Sequence, residues 1–410
     1  MPLTSAKWMS GNLLRVARLP AAACHASATN QQTEHETQSI RRRLKRARKA
    51  KYFQPMLYVK RELYALAESG ELKDLQAALQ NAMALEHATM PPYLYALFSF
   101  GGPAQSNRDI KRILRMIAEE EMLHMLLVGN LLKAIGGRPV IADPSFVISY
   151  PRPLPGLTAD FEVPLQRFTL KLIEDVFMRI EEPEHPITFP SHPLAIEMDR
   201  PRTIGEFYRR IRKVFIEQPG LIAVTTGQPV SSDFEGRYNV KQRIESNEDA
   251  VKAIDFIVGQ GEGTETDPFF EPGTNQPNND KLAHYYRFAQ IVKGRLKPNL
   301  SPPPNPKPED LYFYDESDKM PFDASTVLPL RENPHAADFP EGSEARQKID
   351  VCNRTYTEIL KSLDAAFNVD TGRLDEAVNS MFNFTTAAQD VVSVSLGDNT
   401  RPGPSFEFLI

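Results

Sequence analysis

The sequence predicts a mainly α-helical bundle, and three observations carry the prediction. Along residues 110–131, Ile110, Leu114, Ile117, Glu121, His124, Val128 and Leu131 repeat at spacings of 4, 3, 4, 3, 4 and 3. That is the seam a helix turns toward its neighbours in a bundle. Just upstream, Leu75, Leu79, Ala82, Glu86 and Met90 recur at helical spacing, and a stop at Gly101 and Gly102 joins the two stretches as an antiparallel hairpin. Near the end of the chain, residues 343–367 and 373–392 form two further amphipathic stretches.

Residues 1–33 contain no acidic side chain and three basic ones, Lys7, Arg15 and Arg18. Such a leader fits either an extension or a mitochondrial transit peptide, so cytoplasm is the expected location, with mitochondrion as the alternative. The basic run at 41–51 reads as a solvated tail, and the folded part is expected to begin near residue 58. Asp74 is placed to cap the first bundle helix. Pro91 and Pro92 withdraw donors from the carbonyls of His87 and Ala88, which predicts a kink or break just past Glu86.

A third helix is expected over 165–180, where Leu165, Phe168, Leu172, Val176 and Ile180 form a rough stripe. Thr203 opens a fourth, residues 247–259 make a shorter one, and 281–292 another. Residues 183–202 and 219–236 read as loops. The 34 prolines exceed the usual share, and residues 301–340 hold enough of them to predict a segment wrapping the body without regular structure. The expected organisation is an N-terminal extension at 1–57, a bundle domain at 58–300 and a wrapping segment with a helical hairpin at 301–410, docked on the same body.

Composition narrows the function. A net charge of −5 over 410 residues speaks against a nucleic-acid binder driven by charge, and no apolar run reaches the length of a membrane span. Two cysteines make neither a disulfide framework nor a thiolate zinc cage. Phosphate-loop, dinucleotide and nucleophile-elbow motifs are missing as well. A small molecule is the expected partner, without nucleic acid or membrane.

The chemistry lies where the seam turns polar. Glu121 and His124 occupy two successive seam positions that leucine would normally fill, and a buried carboxylate needs a hydrogen bond, a counter-charge or a metal. A Glu-x-x-His projecting from one bundle helix is half of a di-metal carboxylate site, and Glu86 faces it from the preceding helix. Oxygen and imidazole donors suit iron, in one or two copies, with manganese as the alternative. A matching half needs another Glu and another Glu-x-x-His. Glu206 is the best carboxylate, although Thr203 and Glu206 also spell a capping box. His284 is the histidine, but Lys281 stands where its Glu should be, so either Glu262 or Asp280 supplies the oxygen or a second metal is weak or absent. Tyr93 and Tyr285 are candidates for an aromatic substrate pocket, with core packing as the competing role. Glu119 and Glu120 read as surface residues or as supports for the ligands.

Five motifs carry a family resemblance: LEHATMPPYLYAL at 85–97, EEMLHMLLVGNLLKAIGG at 120–137, TIGEFY at 203–208, QGEGT at 260–264 and HYYRF at 284–288. Together with PFDASTVLPL and the closing GPSFEFLI, they resemble the ferritin-like domain of iminophenylpyruvate dimer synthases, from about residue 58 to the end. The resemblance implies a ferritin-like bundle with long proline-rich connections and two additional C-terminal helices. It further implies a metal-dependent oxidoreductase or oxidative coupling enzyme of secondary metabolism, with iron as the expected metal, acting on an amino-acid-derived imine or aromatic substrate. By the same resemblance Glu86, Glu121, His124, Glu206 and His284 are the ligands, and Lys281 departs from the glutamate common in the family. The competing reading is a metal-free helical scaffold that keeps the shape and binds a partner.

Overall fold

A computed structural model of the chain describes residues 57–410 except 104, 184–185, 188–202, 262–266 and 270–280. The described residues belong to one compact unit. The expected leader and basic run lie outside them.

The bundle begins with α1 (Arg61–Glu68), α2 (Leu72–Phe98) and α3 (Arg108–Ala134). All seven seam residues of α3 are buried, Glu121 and His124 included, which is the burial their spacing demands. Helix α2 starts at Leu72, so Asp74 sits within the first turn and Glu71 takes the cap position. The expected break past Glu86 does not occur: α2 remains helical through Pro91 and Pro92. Part of the reason lies in replacement donors, as the Tyr150 hydroxyl donates to the Ala88 carbonyl at 2.7 Å. Helix α3 stops at Gly136, whose φ of +76° permits the left-handed turn of a helix C-terminus.

Helix α4 comprises three consecutive segments, Leu170–Leu172, a π-helical turn at Ile173–Phe177, and Met178–Ile180. Thr169 caps it by accepting from the backbone N–H of Leu172. There follow α5 (Ile204–Glu217), capped by Thr203, then α6 (Ser232–Tyr238), α7 (Asn247–Gly261) and α8 (His284–Lys293). Helix α5 packs on α1 and α7, while α8 packs on α4 and reaches α3 and α7.

The proline-rich segment is less irregular than its composition predicts. Strand β1 (Arg295–Pro298) pairs antiparallel with β2 (Tyr312–Asp315), and the one-turn helix α9 (Pro308–Leu311) precedes β2. Its aromatics dock as expected, with Phe322 packing on Phe168 at 5.2 Å between ring centroids. Two long helices, α10 (Glu344–Asn368) and α11 (Arg373–Ser393), form a hairpin that lies against α2 and α3. None of the helices among the described residues is long and apolar enough to cross a membrane.

The hairpin meets α3 at a point with no slack. A Cβ on Gly129 would stand 2.4 Å from Cζ of Phe367. Gly129→Ala is therefore expected to cost about 1–3 kcal/mol, because the ring must move within a packed core. Chemical unfolding of the variant, with and without Phe367→Leu as a partner change, measures the cost. Equal loss in both backgrounds would rule out the clash as its cause.

On α2, His87 is buried beside Glu86 and contacts the Tyr356 hydroxyl through Nε2 at 2.7 Å. Burial pushes its pKa down to about 3. A folded-state value below the unfolded one favours the neutral ring, so this stabilisation is present above about pH 6.5 and fades as the pH falls toward 3. Between pH 7 and pH 5 the loss comes to about 2 kcal/mol. His87→Gln is expected to show a correspondingly flatter stability profile than the wild type; parallel profiles would contradict this account.

Candidate metal centre

Five buried side chains converge between α2, α3, the end of α4 and the start of α8. They form two groups, Glu86–Glu121–His124 and Glu121–Glu181–His284, and within each group the ligand atoms all lie within 4.8 Å of one another. Glu121 belongs to both. Its Oε2 lies 3.6 Å from His124 Nδ1, and its Oε1 lies 2.8 Å from His284 Nδ1. Glu86 Oε2 stands 3.6 Å from His124 Nδ1, and Glu181 Oε2 stands 3.5 Å from His284 Nδ1. The arrangement has an approximate two-sided symmetry about Glu121.

Each imidazole is oriented from behind. Nε2 of His124 lies 2.9 Å from Gln260 Oε1, and Nε2 of His284 lies 2.9 Å from Glu120 Oε2. Both partners are acceptors, so both Nε2 atoms carry a proton and both Nδ1 atoms face the carboxylates, where a cation that displaced the Nδ1 proton would find a lone pair. This is how metal-ligating histidines are commonly fixed. Nδ1 of His284 has no hydrogen-bond partner of acceptable geometry despite its close approach to Glu121. Glu120 in turn is held by Arg287, which is fully buried.

The outer carboxylates are fixed in parallel fashion. The Tyr208 hydroxyl donates to Glu86 Oε1, and the Tyr93 hydroxyl donates to Glu181 Oε1 at 2.5 Å. Helix α5 contributes Tyr208 from its inward face, together with Gly205. A cavity of about 40 Å³ touches Glu86, Glu121, His124, Glu181 and Tyr208. That is room for an ion and a small co-ligand.

The electrostatics follow from three carboxylates in a dry pocket. Burial pushes the Glu86 pKa up to about 7, and burial with the Glu121 charge raises that of Glu181. Burial would also raise Glu121, but the two imidazoles outweigh it and hold the carboxyl below the usual range. The same carboxylates overcome burial at His124 and raise its pKa to about 10. Such a cluster holds protons tightly, and a divalent cation would compete for the same atoms. Donor types, spacing and the two turned Nδ1 atoms all fit iron or manganese.

The residues expected from sequence divide clearly. Glu86, Glu121, His124 and His284 come together. Glu206 does not: it accepts from Tyr64 and, at 3.4 Å, from Arg210, while Thr203 caps its backbone N–H. It lies in the first turn of α5, on the side that faces α1. Glu181 stands there instead; it falls between the helix expected at 165–180 and the loop expected at 183–202, and the expected stripe does not single it out. The signal was present, because Ile173, Phe177 and Glu181 are spaced at four and all are buried. Glu262 and Asp280 lie outside the described residues. Lys281 is half-buried in the turn before α8. Tyr93 is a buried support for Glu181, and Tyr285 packs edge-on against Tyr286 at 5.1 Å. Neither touches the cavity at the centre. Gln260 and Arg287 were not anticipated, and Glu120 proves to be a support.

The family model "Ferritin-like" matches residues 79–293, just over half of the chain. The 2-imino-3-(indol-3-yl)propanoate dimerase of Chromobacterium violaceum is 29% identical over 232 residues, covering 48% of this chain and 22% of the relative. The dichlorochromopyrrolate synthase of Lentzea aerocolonigenes is 24% identical over 394 residues, covering 82% of this chain and 36% of the relative. The chain thus spans well under half the length of either relative. A ferritin-like protein from Caulobacter vibrioides is 20% identical, with a TM-score of 0.49 over 77% of this chain and 93% of that one. On the family match, this chain belongs to the ferritin-like family.

Proposed function

We propose that the chain is a metal-dependent enzyme of secondary metabolism that joins two amino-acid-derived imino acids by oxidative carbon–carbon coupling. The observation that supports it most is the donor set of three carboxylates and two imidazole Nδ1 atoms gathered around Glu121. The substrate class is suggested by the relatives' names, one of which is a dimerase of an indolyl imino acid.

In the proposed reaction, one C–H bond on each of two substrates is lost and one C–C bond forms. Two electrons and two protons pass to an oxidant of the dioxygen or peroxide class. Iron, with manganese as the alternative, would supply redox and Lewis-acid chemistry when bound. Glu86, Glu121, His124, Glu181 and His284 would hold it. Gln260 and Glu120 hold a proton on the outer nitrogen of each ring and so turn Nδ1 inward, and Tyr208 and Tyr93 stop the outer carboxylates from rotating. Burial excludes bulk water and strengthens each of these interactions.

The reading is tested with iron-loaded protein and an aromatic imino acid generated in place by an amino-acid oxidase. Mass spectrometry is expected to find a product of twice the substrate mass less two hydrogens, formed with wild type and not with Glu121→Ala. Equal yield with the variant, or with no protein, would defeat the proposal and favour a metal-free scaffold.

A further inference from the structure

On the far side of α2 and α3 from the metal centre, a chamber of about 130 Å³ lies under the α10–α11 hairpin. Its wall is apolar, drawn from all four helices, with Leu126, Leu363 and Phe367 among the residues. It shares Leu94, Phe98, Met122, Phe234, Val378 and Met381 with a wider groove of about 650 Å³. Apolar cavities near 150 Å³ take up a benzene-sized guest, and binding pockets run from about 300 to 1,000 Å³.

The groove has a charged rim. Helix α3 contributes Lys111, Arg115 and Glu119 at successive turns, and α6 contributes Asp233 and Arg237. Arg237 pairs with Glu119 at 2.6 Å. Arg115 is exposed and has no ion-pair partner among the described residues. Phe382, 71% exposed, borders the same groove. Arg115 and Met122 are seven residues apart on one helix, about 10 Å along its axis.

We propose that this groove and chamber form a second binding site, distinct from the metal centre, for an amphipathic monocarboxylate. The carboxylate pairs with Arg115 at the rim, and an apolar body at least about 10 Å long runs past Met122 into the chamber. The acidic rim residues Glu119 and Asp233 oppose a more highly charged head group. The site is independent of the proposed reaction, since none of its residues is a ligand of the centre.

Dodecanoate is the probe, titrated calorimetrically into the full chain. One equivalent is expected to bind, with at least tenfold weaker binding to Arg115→Glu and to dodecanol in place of dodecanoate. Leu363→Trp, which fills the chamber, is expected to abolish binding, while iron content stays at the wild-type level in both variants. Absence of binding to the wild type overturns the proposal, and so does Arg115→Glu binding as tightly as wild type. If sedimentation shows two copies of the chain covering the groove and excluding dodecanoate, the occupant is a second copy and the proposal fails.

Discussion

Glu121→Ala is expected to strip the chain of bound iron at both halves of the centre, while Glu206→Ala leaves the metal content unchanged. Glu121 is the one residue common to both ligand groups, and its two oxygens face different imidazoles. Losing a supporting partner alone typically lowers metal affinity about 10–100-fold, so loss of the shared ligand should cost at least about 100-fold. Glu181→Ala should remove the metal held with His284 and spare the Glu86 side. Elemental analysis of the four proteins after identical loading decides the matter, with far-UV circular dichroism confirming that each is folded. Retention of full iron by Glu121→Ala, or its loss in Glu206→Ala, would refute the assignment made here. The comparison of Glu181 with Glu206 is the sharpest part, because sequence favours one and geometry the other.

The second large effect concerns Arg287. Its guanidinium is fully buried against Glu120, which in turn holds His284. For Glu120, burial raises the pKa, but Arg287 and His284 outweigh it and keep the carboxyl below the usual range. Arg287→Leu would leave that carboxylate without its counter-charge, at an expected cost of about 3–5 kcal/mol. Combining it with Glu120→Gln removes the orphaned charge and should recover much of the loss. Denaturant unfolding of the single and double variants checks this. If the double variant is as unstable as Arg287→Leu alone, the ion pair is not what Arg287 provides.

Much of the bundle was legible because buried helices announce themselves through spacing. The α3 seam, the Gly136 stop, the Thr203 cap and the closing hairpin all follow from local rules. The hairpin of α2 and α3 carries Glu86, Glu121 and His124 on facing stripes, so half of the centre could be read directly. The other half resisted for identifiable reasons. Glu181 follows a π-helical turn, which shifts the helical register, so the stripe through Val176 and Ile180 missed it. Glu206 mimics a ligand in sequence because a capping position and an inward position differ only by rotation about the helix axis. The donors rescuing α2 at its prolines come from Tyr150, far along the chain, and local rules cannot supply them. Arg287 and Gln260 show their roles only when long-range packing brings them behind a histidine.

The placement of Glu121 has one more consequence. Two independent sites would fill according to two separate affinities, whereas two seats that draw on one carboxylate form a single thermodynamic system. A cation arriving on the Glu86 side takes up charge that the His284 side would otherwise feel, and the reverse holds by the same amount. Loading would then be negatively coupled through a shared oxygen-bearing group, with no movement of the fold required.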